Sequence, residues 1–259
     1  MTRLAGEVDA VFYLAELGLN RCQISRATGI PRSTVGHWLA GKVPGVGDPR
    51  YPPGEPCRGG CSRPLDLSEV AFRPYAYLLG IYLGDGSLAR HPRGVFRLSI
   101  FLDRAYPGIV RASAQAAQAV IPESRVRVVS HADAHMDEVV SYSKHWPCLL
   151  PQHGAGTKHT RRIKLADWQR EILDRRPWSF LRGLIHSDGS RFMNPAVHPH
   201  RTYWYPRYQF SNRSADIRAL FCEYCEKVGV EWRQANRWNI SVARRASVEL
   251  MDRHIGPKR

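Results

Sequence analysis

The chain has no apolar run approaching the about 18 residues that a membrane-spanning helix requires. It is poor in acid, with 23 Asp and Glu against 38 Lys and Arg, so its formal net charge is +15 at pH 7. It is also sparse in cysteine, with six scattered over 259 residues. These shortages exclude a membrane span and a small disulfide-stapled scaffold. The opening stretch, "MTRLAGEVDAVFYLAELG", carries acidic residues and starts an amphipathic pattern. It does not read as a secretory leader, and a cytoplasmic setting with reduced thiols is expected. The excess positive charge points to a polyanionic partner, because the basic residues are interleaved with Tyr, Trp and His rather than gathered in a tail.

What is present falls into segments. Residues 1–42 combine an amphipathic helix with "NRCQISRATGIPRSTVGHWLAGK". Ile24, Ile30, Val35 and Trp38 take the buried positions, Ser25 is small where helices cross, and Gly29 relieves the turn. That is a helix-turn-helix pattern, with Arg32, Ser33, Thr34, Gly36 and His37 facing outward. Residues 43–69 are a Pro/Gly-rich linker holding Cys57 and Cys61. Their C-x3-C spacing admits a structural Zn2+, but such a site wants four ligands. Cys148, His153 and His159 could complete it; two unrelated thiols are the simpler reading.

The remainder reads as an internal repeat, 70–165 and 166–259. Each copy opens on an apolar helix that runs into Asp-Gly-Ser: "YLLGIYLGDGS" and "FLRGLIHSDGS". The order of elements in each is αββαββα, so the copies are expected to relate by a pseudo-two-fold axis. Gly80 and Gly84 share one helix face, as do Gly183 and Ser187, and such small residues let two backbones approach closely. The two helices are therefore expected to pack side by side, bringing Asp85 and Asp188 together. Each carboxylate would sit at the negative end of its helix dipole, beside a like charge. A divalent cation removes the difficulty. Carboxylates and the terminal carbonyls near Gly84 and Ser187 suit Mg2+ or Mn2+.

Leu78–Gly86 and Leu181–Gly189 resemble the LAGLIDADG motif of homing endonucleases, position by position. The resemblance implies an α+β protein in which two αββαββα repeats form a DNA-binding saddle, here preceded by the all-α helix-turn-helix domain. It implies a single-chain, pseudo-symmetric monomer that cleaves both strands of a double-stranded DNA site. It assigns metal binding to the last acidic residue of each motif, Asp85 and Asp188. The sequence departs from the motif at its earlier Asp, which is Leu83 in one copy and His186 in the other.

Other candidates follow from strand patterns. Lys144 and Arg244 end corresponding strands and could stabilise charge on a phosphate. Aligning Ile109 with Ile217 sets Phe101 opposite Gln209, which could order water. Leu98, Ile100 and Leu102 face the core, leaving Arg97, Ser99 and Phe101 outward; Arg207, Gln209 and Ser211 take the outer face in the second copy. The segment "HPHRTYWYPR" is either a DNA-contacting hairpin or a packed loop. Cys222 and Cys225 read as helix core. Three functions share this scaffold: a metal-dependent DNA endonuclease, a non-cleaving DNA-binding transcriptional regulator, and an RNA maturase. Both acids are present, which favours the first.

Overall fold

The computed structural model describes residues 5–40, 67–91, 94–131, 134–256 and 258. Most of the linker, with Cys57 and Cys61, lies outside them. The chain divides into two compact units, one holding the N-terminal helices and Gly154–Arg162, the other holding the repeat.

In the first unit α1 (Ala5–Glu16), α2 (Arg21–Thr28) and α3 (Arg32–Leu39) enclose Val8, Val11, Ile24, Ile30, Val35 and Trp38. Asn20 caps α2 by accepting from the Cys22 and Gln23 amides, and Gln23 returns a bond to the Asn20 amide. Gly29 ends α2 at φ 68°, the left-handed region where an L side chain is strained. The expected buried and turn positions are all found.

In the second unit the order is α4 (Glu69–Asp85), β1 (Gly86–Arg90), β2 (Phe96–Asp103), α5 (Pro107–Val120), β3 (Val126–His131), β4 (Met136–Ser143) and α6 (Trp146–Leu149). After α7 (Asp167–Arg175) the order repeats: α8 (Pro177–Asp188), β5 (Gly189–His198), β6 (Arg201–Ser211), α9 (Ala215–Lys227), β7 (Arg233–Gln234), β8 (Asn239–Val242) and α10 (Arg245–His254). Each copy builds a four-stranded antiparallel sheet, β1-β2-β4-β3 and β5-β6-β8-β7. No helix among the described residues is long and apolar enough to cross a membrane. Asp85 follows Pro74, and Asp188 follows Pro177, by the same interval. In the first copy the proline lies inside the continuous α4; in the second it opens α8, where its missing amide costs nothing.

One face of each sheet packs on helices. Leu98, Ile100 and Val139 meet the α5 side, while Tyr208, Phe210 and Ile240 occupy the corresponding places, with Phe210 stacked on Phe221 of α9. Cys222 and Cys225 are core residues, and burial pushes the Cys222 thiol up to about 12.

The ladders revise the alignment of the copies. Gly86 pairs with Ile100 and Gly189 with Phe210, so Ser87 faces Ser99 where Ser190 faces Gln209. Ser99, not Phe101, is therefore the counterpart of Gln209. Val140 pairs with Ser99 and Ser241 with Gln209, which sets Lys144 in step with Arg245 rather than Arg244. β2 runs three residues past Ile100 and β6 only one past Phe210 before connections of equal length to α5 and α9, so an alignment anchored on those helices carries the offset into the strands.

Candidate active site and nucleic-acid interface

The site begins with two glycines. A Cβ on Gly80 would stand 2.9 Å from Gly183 Cα and 2.9 Å from the Leu184 amide nitrogen; one on Gly183 would stand 2.8 Å from the Ile81 nitrogen. Those neighbours are backbone and cannot yield. The α4 and α8 backbones thus touch at their small residues, and contact continues toward both C-termini. A Cβ on Gly84 would lie 2.8 Å from Asp188 Oδ2 and closer still to the Ser187 side chain. The helices end in step, each passing directly from its aspartate into a strand, so the Gly-Ser that follows is not a turn but the start of β1 or β5.

Asp85 and Asp188 are half-buried at this junction. Asn212 Nδ2 donates to Asp188 Oδ2 at 2.6 Å, while Asn212 Oδ1 accepts from the Ser214 amide at 2.7 Å. Arg218 in turn donates to the Asn212 carbonyl at 2.6 Å. The Ser187 hydroxyl is spent on its own helix, donating to the Gly183 and Leu184 carbonyls. The Ser187 carbonyl accepts from Lys258 Nζ at 2.9 Å. Burial holds the Lys258 ammonium below the usual lysine range, against the pull of Asp85, Asp188 and Asp103. Asn212 and Lys258 were not legible in the sequence: one follows β6 and the other follows α10, and neither belongs to a motif.

The motif's divergent position is a packing feature in the second copy. His186 is buried, its Nδ1 3.0 Å from the Tyr77 hydroxyl across the helix pair. Burial first, then the charges of Arg182 and Lys258, push its pKa down to about 3, so it is neutral.

A divalent cation fits this junction by chemistry. Asp188 Oδ2 lies against Gly84, the next residue is Asp85, and the Ser187 carbonyl accepts from Lys258, so the groups at the junction are the oxygen donors that a divalent cation takes. No cluster of three or more His, Cys, Asp or Glu that could hold a metal ion occurs among the described residues.

The remaining candidates are dispersed. Lys144 is exposed just past β4. Arg244 precedes α10 and donates to Glu231 at 2.7 Å with most of its side chain in solvent. Gln209 lies on β6 with its amide 3.3 Å from the Ser211 hydroxyl, and Arg207 is half-buried beside it. Arg97 grips both Glu138 oxygens, at 2.8 and 2.9 Å, and Ser99 is only 6% exposed. The expectation that Ser99 presents an outward base-reading side chain is corrected: neighbours on the same face cover it. In α3, Arg32, Ser33 and His37 are exposed and Thr34 is half-covered. The aromatic segment is a hairpin, the distal part of β5 and β6, where Tyr203 stacks on Tyr205 and Arg201 lies 5.0 Å from the Tyr203 ring centre. Trp204 is 59% exposed on the other face.

The fold is LAGLIDADG-like. Two motif helices meet at their glycines, and two four-stranded sheets of identical strand order follow them. No family model matches the chain, and no curated protein does. Among solved structures it is similar to I-DmoI in complex with DNA and Mn, at 16% identity and a TM-score of 0.48, covering 72% of this chain and 97% of that one. It is similar to I-WcaI bound to its DNA recognition sequence, at 14% identity and a TM-score of 0.43, covering 74% and 83%. It is also similar to full-length DUF199/WhiA from Thermatoga maritima, at 12% identity and a TM-score of 0.42, covering 73% and 57%.

Proposed function

We propose that the protein is a LAGLIDADG-type DNA endonuclease that hydrolyses phosphodiester bonds at a specific double-stranded site with a divalent metal. The observation that carries the reading is the glycine crossing of α4 and α8, which delivers Asp85 and Asp188 to one junction. Two half-buried carboxylates at two negative helix ends repel, and one ammonium group offsets only part of their charge, so the junction favours a divalent cation. Asp85, Asp188 and the Gly84 and Ser187 carbonyls would hold Mg2+ or Mn2+, which activates water and stabilises a leaving oxygen. Asn212 fixes the orientation of Asp188. Lys144, Arg244 and Gln209 are assigned to supporting roles toward phosphate and water. Arg97, Arg207 and Gln209 carry DNA contact from the two sheets, and the N-terminal unit adds a helix-turn-helix grip through Arg32, Ser33, Thr34 and His37. The chain acts as a monomer, the repeat supplying the symmetry that a dimer would otherwise provide.

A non-cleaving DNA-binding regulator is the second reading, favoured by one observation: an ammonium group, Lys258, stands at the acidic junction. Selection from a random duplex library with Mg2+, scored separately for bound and for cut DNA, separates the two. Cut sites that vanish in Asp85→Asn and Asp188→Asn establish the endonuclease. Bound but intact DNA at every metal concentration establishes the regulator, and preference for intron RNA over duplex DNA establishes a maturase.

A further inference from the structure

Lys258 reaches the junction by construction rather than by accident of a loose end. Ile255, just past α10, is 4% exposed in the core. Gly256 reverses the chain at φ 72°, its amide bonded back to Met251 and its carbonyl accepting from the Tyr208 hydroxyl at 3.4 Å. The Lys258 ammonium then sits 5.8 Å from the Tyr106 ring centre, bonded to the Ser187 carbonyl and within the field of Asp85, Asp188 and Asp103. Ser187 O is one of the oxygens nominated for the metal. A lysine ammonium offers three donors and one positive charge to a cluster of acceptors, which is the simplest organic stand-in for a hydrated cation.

We propose that Lys258 is an intramolecular plug of the metal site: its ammonium group occupies the Asp85–Asp188 junction in the resting protein, and a divalent cation binds only by displacing it. The proposal rests on the metal reading above and adds a regulatory step to it. The resting protein keeps part of the acidic charge offset, and metal loading is coupled to withdrawal of the Lys258 side chain. Two cations competing for one acidic junction must weaken each other reciprocally. In the resting state the Lys258 ammonium removes part of the repulsion that would otherwise push the two helix ends apart.

The test uses the full chain without DNA. Calorimetric titration with Ca2+ and with Mn2+ is compared for the wild type, Lys258→Met, Lys258→Arg and Asp188→Asn. Lys258→Met is expected to bind metal about tenfold tighter, within the usual range of coupling between two ligands. Lys258→Arg keeps the charge and is expected to stay near wild type, while Asp188→Asn is expected to lose binding. In parallel, acetylation by a lysine-reactive reagent, read peptide by peptide, is expected to find Lys258 slow in metal-free protein and several-fold faster once Ca2+ is saturating. Equal metal affinity for the wild type and Lys258→Met, with binding still dependent on Asp188, would overturn the plug while leaving the metal site standing. Weaker binding by Lys258→Met would also overturn it and mark the lysine as a supporting group. If no variant binds metal, the metal reading fails and the competition falls with it.

Discussion

The two sheets share strand order and register, yet their outer faces differ in charge. On the first sheet Arg97 and Glu138 close on one another, and His131 Nε2 lies 3.0 Å from the same carboxylate. Glu138 pairs with Phe101 in the ladder. Its counterpart in the second copy is Asn239, which pairs with Ser211 and accepts a hydrogen bond from that serine. Thus Arg207, the counterpart of Arg97, shares its face with Gln209, Ser211, Asn239 and Ser241, all neutral. One copy neutralises its arginine within the sheet, and the other has no carboxylate at the corresponding ladder position. A duplicated fold can hold its backbone constant while shifting binding to one half, because a single acidic-to-amide difference at a ladder position decides whether a guanidinium is neutralised. The second sheet also carries the aromatic β5–β6 hairpin. The copies therefore differ on their outer faces while sharing the acidic pair.

The sharpest test of what the copies share is chemical. Asp85→Asn and Asp188→Asn are each expected to reduce Mg2+-dependent cleavage by more than the roughly 100-fold that loss of an outer-shell partner brings, with DNA binding retained. Single-turnover cleavage assays measure it, and unequal losses would show that the junction is not shared equally. Gly80→Leu and Gly183→Leu come next. A side chain at either position would strike the facing backbone, so each is expected to cost about 3 kcal/mol or more in denaturant unfolding, and the two costs should be similar.

Asn212 is where the copies part. Register places the apolar Leu102, 4% exposed, at the corresponding position of the first copy. Asn212→Ala is expected to slow cleavage about 10- to 100-fold by loosening Asp188 alone. Nicked duplex should accumulate, because one strand is then cut before the other; simultaneous slowing of both strands would refute the asymmetry. For binding, Arg207→Ala is expected to weaken DNA affinity about tenfold and lower the salt slope by about one, whereas Arg97→Ala should do much less. Equal effects would show that Glu138 does not withhold Arg97.

The smallest expected effect concerns pH. Burial pushes the Glu138 carboxyl upward, but bonds from Ser99 and His131 and the Arg97 charge overcome it and hold the carboxyl below its ordinary range. A folded-state value below the unfolded one stabilises the protein above the ordinary carboxylate range, and that stabilisation is lost as pH falls through the lowered value. Glu138→Gln should flatten that acid limb of the stability profile and modestly strengthen DNA binding by releasing Arg97. An unchanged acid limb would place the pH dependence elsewhere.

The sequence by itself determined the elements and the junction. Alternating strands, helical apolar faces, a left-handed glycine between α2 and α3, and small residues spaced one turn apart are local patterns, and local sterics suffice to read them. The doubled motif determined which helices would meet, because a glycine face can be matched only by another small face. Tertiary structure alone decided the rest. Whether Arg97 was bound or available depended on the register of a strand some forty residues away, which no local period encodes. The offset between Phe101 and Gln209 depended on how far β2 and β6 continue past their equivalent ladder positions before α5 and α9. Asn212 and Lys258 reached the acidic pair only through a strand end and a chain reversal at Gly256, where packing at long sequence separation, not residue type, sets the contact.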